Sequence, residues 1–105
     1  MIQTLVKEKT FTALDLINKE FPKATIFHEK ISDSDIRVFY VFHAITFHKI
    51  EMPVDLAERP FDLADELRLR GLAAEMRKAI SCNARFVVTE RGVSVEPVDR
   101  EAMMT

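Results

Sequence analysis

The segment from Ile36 to Phe47 constrains the fold most, because β-branched and aromatic residues occupy both alternating sets of positions in its first half. A strand that is apolar on both faces is typical of the centre of a sheet with another layer on each side. The apolar run continues to Met52, which is long for one strand, so a turn near His43–Ala44 would divide it into two. We therefore expect central strands that meet helices on one face and another surface, such as a second subunit, on the other.

A first helix is predicted over Thr10–Phe21, where apolar residues recur at helical spacing until Pro22 ends the pattern. The same apolar stripe continues upstream at residues 2 and 6. Residues 2–6 thus either belong to a longer helix that begins near residue 3 or form a short edge strand.

A second helix is predicted from Pro60, which suits a first turn, to Ile80. Its apolar residues fall on two nearly opposite sides. One side carries Leu63, Ala64 and Leu67, and the other carries Leu69, Leu72, Ala73, Met76, Ala79 and Ile80. Gly71 lies close to the change of side. Either the helix kinks or breaks near Gly71, or it is buried on two sides and contacts something beyond its own sheet.

The remaining segments complete the predicted order of elements. Residues 24–31 favour a strand, residues 32–35 a turn, residues 51–59 a loop, and residues 84–96 a hairpin with Gly92 at its turn. We expect an α+β fold with an antiparallel sheet of four or five strands and two main helices, in the order α-β-β(-β)-α-β-β. The chain of 105 residues is interpreted as a single domain over residues 1–105, with residues 99–105 as a flexible tail.

Composition excludes several classes of protein. A hydrophobic content of 48% is too high for a disordered chain, and a net charge of −2 is unlike that of a basic nucleic-acid coat protein. The single cysteine, Cys82, excludes a disulfide framework. The sequence has no secretory leader and no apolar stretch long enough for a bilayer, so the expected location is cytoplasmic, without a membrane partner.

The sequence contains no pattern of residues that indicates catalysis, so we predict no catalytic residue, no cofactor and no enzymatic activity. Three histidines in the predicted sheet, His28, His43 and His48, are weak candidates for metal ligands. Residues 43 and 48 are five apart and face opposite sides of a regular strand, so they converge only if a bulge or turn intervenes.

The net charge conceals two blocks of opposite sign. From Glu51 to Glu66 six acids and one base leave −5, and from Arg68 to Arg91 six bases and two acids leave +4. The basic block is a candidate patch for phosphates or an acidic protein surface. Its members are Arg68, Arg70, Arg77, Lys78, Arg85 and Arg91.

These observations favour a small cytoplasmic, non-enzymatic protein-binding module (an adaptor, an inhibitor or a chaperone-like protein) that forms a homodimer. The expected interaction surface consists of the apolar residues that remain exposed after one face of the helix and one face of the sheet have packed into the core. They are Phe39, Val41, Ile45 and Phe47, expected on one face of the sheet, and Leu63 and Leu67 on the outer side of the second helix. The alternatives are a nucleic-acid-binding regulator that uses the basic block, and a small enzyme or metal-binding protein that uses the histidines.

Overall fold

The computed structural model describes residues 12–31, 34–58 and 63–97 of the chain. The elements in these ranges are helix α1 (Ala13–Glu20), strand β1 (Thr25–Lys30), strand β2 (Ile36–His43), strand β3 (Thr46–Pro53), helix α2 (Val54–Glu58), helix α3 (Leu63–Lys78), strand β4 (Ala84–Thr89) and strand β5 (Gly92–Pro97). The predicted α+β fold and the order of its main elements are confirmed.

The strands form one five-stranded sheet in the order β1-β2-β3-β4-β5. Strands β1 to β3 are an antiparallel meander and β4–β5 is an antiparallel hairpin, whereas β3 and β4 run parallel. The parallel pair arises because α2 and α3 carry the chain back before β4 begins, as a crossover connection must. The sheet is thus mostly antiparallel, as predicted, and contains one parallel pairing that the sequence did not indicate.

The long apolar run divides at a tight hairpin, close to the predicted His43–Ala44. His43 pairs with Thr46, so Ala44 and Ile45 are the whole loop between β2 and β3. Ala44 has a φ of 49°, in the left-handed region that costs a residue with a Cβ roughly 1–2 kcal/mol. The hairpin therefore forms in spite of its turn residues, and the pairing of two apolar strands stabilises it.

Helix α1 begins at Ala13, well after residue 3, where the longer of the two alternatives for the first helix would begin. Thr12 has extended backbone angles, and it caps the helix through a reciprocal pair of hydrogen bonds with Asp15. This cap separates α1 from any upstream helix, so a continuous helix from residue 3 is wrong. The choice between helix and strand for residues 2–6 lies outside the described residues, as does the predicted tail at 99–105.

Helix α3 runs unbroken through Gly71, which settles the alternative posed by its two apolar sides. One side, which includes Leu69, Leu72 and Met76, packs into the core against the sheet, where each of the three is fully buried. The other side points away from the sheet. Of the two expectations, a break at Gly71 is excluded, and the second apolar side remains as a surface feature.

The core lies between the three described helices and one face of the sheet. The contributions of the sheet include Phe39 and Val41 from β2, Ile50 from β3 and Phe86 from β4. The segment predicted as a loop at 51–59 is different in the structure: β3 continues to Pro53 and the short helix α2 follows. The helix residues Leu56 and Ala57 join the core, which explains why the acidic stretch after Pro53 is helical.

The predicted hairpin near the end of the chain is confirmed as β4 and β5. Thr89 pairs with Gly92 across a two-residue turn, and Gly92 has a φ of 132°. Residues with a Cβ rarely adopt that conformation, so glycine is required at the start of β5.

Candidate functional site

The predicted interaction residues of the sheet lie on three different parts of the molecule. Phe39 and Val41 are in the core beneath the helices, with 2% and 0% of their surface exposed, so neither is available to a partner. Ile45 is at the tip of the β2–β3 hairpin and 84% exposed. Phe47 lies on the opposite face of the sheet from Phe39. The prediction that these four residues share one face is wrong, because the turn at Ala44–Ile45 reverses the strand and its alternation restarts.

The predicted interaction residues of the helix are exposed together on the outer side of α3. Leu63 and Leu67 expose 71% and 63% of their surface, and the exposed Gly71 follows one turn later. Residues four apart lie above one another on a helix, so these three form a line along the helix axis. We refer to Leu63, Leu67 and Gly71 as the outer stripe. The second apolar side predicted from the sequence is therefore a continuous surface strip.

A cluster of aromatic rings that the sequence interpretation missed lies on the sheet face opposite the helices, here called the outer sheet face. Phe42 and Phe47 are 4.6 Å apart between ring centroids, Tyr40 stacks on Phe47 at 6.0 Å, and Phe27 meets Phe42 at 5.9 Å. Phe47 is fully buried, whereas Phe27 is 59% exposed. The signal was present in the alternate positions Tyr40 and Phe42, which were not among the predicted interaction residues.

The predicted basic patch is divided by the sheet. Arg85 lies on the outer sheet face, where its guanidinium binds both carboxylate oxygens of Glu51, at 2.8 and 3.1 Å, and Glu96 at 3.0 Å. The other members on α3 lie across the sheet, and each has an acidic neighbour. The pairs are Arg68 with Asp65, Arg70 with Glu66, Arg77 with Glu20, and Lys78 with Glu75. Arg91 lies in the β4–β5 turn, so the six cations do not form one patch.

Two of the three candidate histidines meet, because the hairpin supplies the turn that their spacing required. The Nε2 atom of His43 is 3.2 Å from Nδ1 of His48. His28 lies apart, with its Nδ1 3.4 Å from Nη1 of Arg37. Within the described residues, no three side chains of His, Cys, Asp or Glu come together as a metal site requires.

Two backbone carbonyls determine where the protons of this histidine pair lie. The Nε2 atom of His48 is 3.0 Å from the carbonyl oxygen of Ala79 and 3.1 Å from that of Cys82. Carbonyl oxygens only accept, so Nε2 of His48 carries a proton and Nδ1 of the neutral ring accepts from His43. His43 is then protonated at Nε2, and its own Nδ1 holds a lone pair. Among the described residues, none donates a hydrogen bond to this atom.

Burial keeps both rings neutral. Burial is the main cause that lowers the pKa of His43 from the ordinary 6.5 to about 4, and the neighbouring His48 adds to it. Burial also lowers the pKa of His48, although its hydrogen bonds to Ala79 and Cys82 act in the opposite direction. At neutral pH the pair is therefore an uncharged chain of hydrogen bonds.

We expect the protein to lose stability as the pH falls from 7 to 5. In the unfolded chain His43 takes up a proton below about pH 6.5, whereas in the folded protein it does so only near pH 4. The stability contribution is complete above pH 6.5 and is lost as the pH falls. After allowance for solvent screening of a half-buried ring, the loss is about 1–2 kcal/mol. Urea unfolding at pH 7, 6 and 5, followed by circular dichroism, measures it.

The matched variant for this measurement is His43→Phe, which keeps a ring but cannot titrate. Its free energy of unfolding should change less than that of the wild type between pH 7 and 5, a range above the ordinary carboxyl pKa. Identical pH dependence in both proteins would exclude His43 as the cause.

His43 also lines a groove of about 680 Å³ at the hairpin end of the sheet. Its walls come from the α1–β1 connection, the β2–β3 turn and the segment after α3, and we call it the hairpin groove. Most of the lining is apolar: Phe21, Pro22, Ala24, Ala44, Ile45 and Ile80. The hydroxyl of Thr46 donates to the carbonyl oxygen of Ile80 at 2.8 Å and thereby joins two walls. The volume is within the range of small-molecule sites.

Comparisons with known proteins found no match: no protein family, no curated protein and no solved structure is similar to this chain at a significant level. Among the described helices, none is long and apolar enough to cross a membrane. The functional interpretation consequently depends on the geometry of the outer stripe, the outer sheet face and the hairpin groove.

Proposed function

We propose that the protein is a small non-enzymatic protein-binding module, of the adaptor, inhibitor or chaperone-like type, that forms a homodimer through its outer stripe. The observation that carries this proposal is the unbroken α3, with two leucines largely exposed one turn apart. Burying both side chains against a partner would contribute about 1.5–3 kcal/mol each. An apolar strip on a helix is a common docking surface for another helix.

Gly71 supports close contact between helices. Glycine inside a helix costs about 1 kcal/mol relative to alanine, and a Cβ built at Gly71 would meet nothing within 4 Å. Nothing in the described fold therefore requires glycine here. A second helix that lies directly on α3 does require it, because only glycine lets a leucine from the partner approach the backbone.

The occupant we assign to the outer stripe is a second copy of the chain, with the two α3 helices antiparallel. In that arrangement Leu67 of each copy faces Gly71 of the other, so a large side chain meets the smallest. The first turn of α3 carries Asp65 and Glu66, and its last turn carries Arg77 and Lys78. Each of these charges is already paired within its own copy, so the orientation depends on the fit of Leu67 against Gly71 and on the opposed dipoles of antiparallel helices.

The remaining features are consistent with a binding protein. Phe27 and the half-buried Tyr40 and Phe42 of the outer sheet face lie across the sheet from α3, so their exposed parts would stay accessible to a different protein in the proposed dimer. The ion pairs of the basic residues weaken the nucleic-acid alternative, because phosphates would have to compete with the carboxylates that already bind these side chains. We propose a cytoplasmic location on the basis of the exposed free thiol of Cys82, which suits a reducing compartment.

We expect the wild-type protein to sediment as a dimer and Leu67→Glu to raise the dissociation constant at least 30-fold. The substitution removes an apolar contact twice and places a charge at the interface of both copies. Because Leu67 is 63% exposed in the single chain, the variant should fold normally. Sedimentation equilibrium over a range of protein concentrations measures the effect.

The matched control is Phe27→Glu, which introduces the same charge at a 59% exposed apolar residue of the outer sheet face. It should leave the dimer intact. A wild type that stays monomeric at 0.2 mM, or a dimer disrupted by Phe27→Glu and not by Leu67→Glu, would reject the outer stripe as the interface.

A further inference from the structure

The hairpin groove combines two features that the proposed dimer does not use. One is an apolar lining with exposed side chains: Ile45 exposes 84% of its surface and Ile80 exposes 42%. The other is the lone pair on Nδ1 of His43, which has no donor among the described residues. The groove therefore combines a large apolar area with an acceptor, on a ring that lines it, that no described residue uses, and the polar side chains of Glu20, Lys23 and Ser81 lie at its edge.

The His43 acceptor is fixed by hydrogen bonds on the opposite side of its ring from Nδ1, through His48. The carbonyl oxygens of Ala79 and Cys82 determine the protonated atom of His48, and His48 in turn determines that of His43. The His43 ring is also held edge-on against Phe21, with 5.0 Å between the ring centroids. A preorganised acceptor of this kind needs little reordering to bind a donor.

We infer that the hairpin groove binds small uncharged ring compounds that carry one N–H or O–H donor, with the donor on Nδ1 of His43 and the ring against Ile45 and Ile80. A ring fits because the edge and face of Phe21 and the flat Pro22 favour planar partners. An uncharged ligand fits because the two charged residues of the lining, Glu20 and Lys23, have opposite signs, so the groove carries no net charge that favours an ion. The class is defined by shape and by one hydrogen bond.

The test uses indole and 1-methylindole, which differ chiefly in that methylation removes the donor. Binding is followed by chemical shifts in two-dimensional NMR spectra of the methyl groups of Ile45 and Ile80 and the backbone of Ala44. Both compounds should shift these signals, and indole should bind about fivefold more tightly, as expected for one hydrogen bond. Equal affinity, or shifts confined to other parts of the protein, would overturn the inference.

Two variants separate the contributions of the wall and the acceptor. His43→Phe should remove the difference between the two compounds, because the acceptor is lost while a ring remains. Ile45→Ser, at a residue too exposed to affect folding, should weaken both compounds by a similar factor and preserve their ratio. A fivefold preference that survives in a folded His43→Phe protein would exclude His43 as the acceptor.

A third compound distinguishes a small-molecule ligand from the side chain of a protein partner. N-acetyltryptophanamide carries the same indole on a peptide unit. We expect it to bind no more tightly than indole, since the ring nitrogen occupies the acceptor of His43 and the assignment gives the peptide unit no contact of its own. Tighter binding of the peptide analogue would replace the small-molecule assignment with a docking site for a tryptophan of another protein.

Discussion

Replacing Phe86 with alanine should lower the free energy of unfolding by about 3–5 kcal/mol, the usual cost of removing a buried aromatic ring. Phe86 is fully buried in β4, the strand that joins the meander to the β4–β5 hairpin. Its ring lies edge-on to His48, with 4.8 Å between centroids, so its loss also exposes the histidine pair. Domains of this size have about 5–15 kcal/mol of stability, so a large share of it depends on one side chain.

Urea unfolding followed by circular dichroism measures this loss, and Val87→Ala is the matched control. Val87 is the next residue of the same strand, but it faces the outer sheet face and is only half-buried. It should cost about 1 kcal/mol. Similar losses for both variants would show that the core does not lie on the helical side of β4.

A loss of about 3 kcal/mol is expected for His48→Ala, from two causes. The substitution leaves a cavity at a fully buried position, and it removes the donor to Ala79 and Cys82 as well as the acceptor for His43. A buried polar group left without a partner costs roughly 1–3 kcal/mol. Thermal unfolding at pH 7, where the histidine pair is neutral, avoids any contribution from titration.

His28→Ala is the control for that experiment, because His28 is an exposed histidine of the same sheet. Its stability should stay within about 0.5 kcal/mol of the wild type. If His48→Ala also proved this mild, water would be replacing the histidine in its contacts with the two carbonyls, and the pair would not be a structural unit.

The sequence predicted the elements of this fold better than the faces they present. Apolar alternation identified β2 and β3, and even the place where they separate. It could not show the side on which each residue lies beyond the turn, because Ala44 carries none of the glycine or asparagine signals of a two-residue loop. Without the exact loop length, Phe47 was assigned to the face of Phe39, and the aromatic cluster of the outer sheet face was missed.

Helix α3 shows the opposite case. Its apolar residues lie on two opposite sides, and this pattern correctly indicated that one apolar side would lie outside the core. Its two apolar sides required either a break or a second contact; the helix is continuous and its second side is exposed, so the second contact stays a prediction. The meeting of His43 and His48 was conditional on a turn, and their partners could not be predicted. The carbonyls of Ala79 and Cys82 are more than 30 residues away along the chain, and no local pattern encodes a pairing of that kind.

Cys82 makes the histidine pair accessible to spectroscopy without any redesign of the protein. It is the only cysteine in the sequence, its thiol is exposed, and its own backbone carbonyl accepts the hydrogen bond from His48. A fluorine or fluorescent tag attached to this thiol would sit one residue from the wall of the hairpin groove at Ser81. The native chain thus carries a single labelling position from which occupation of the groove and protonation of the histidines can be observed in real time.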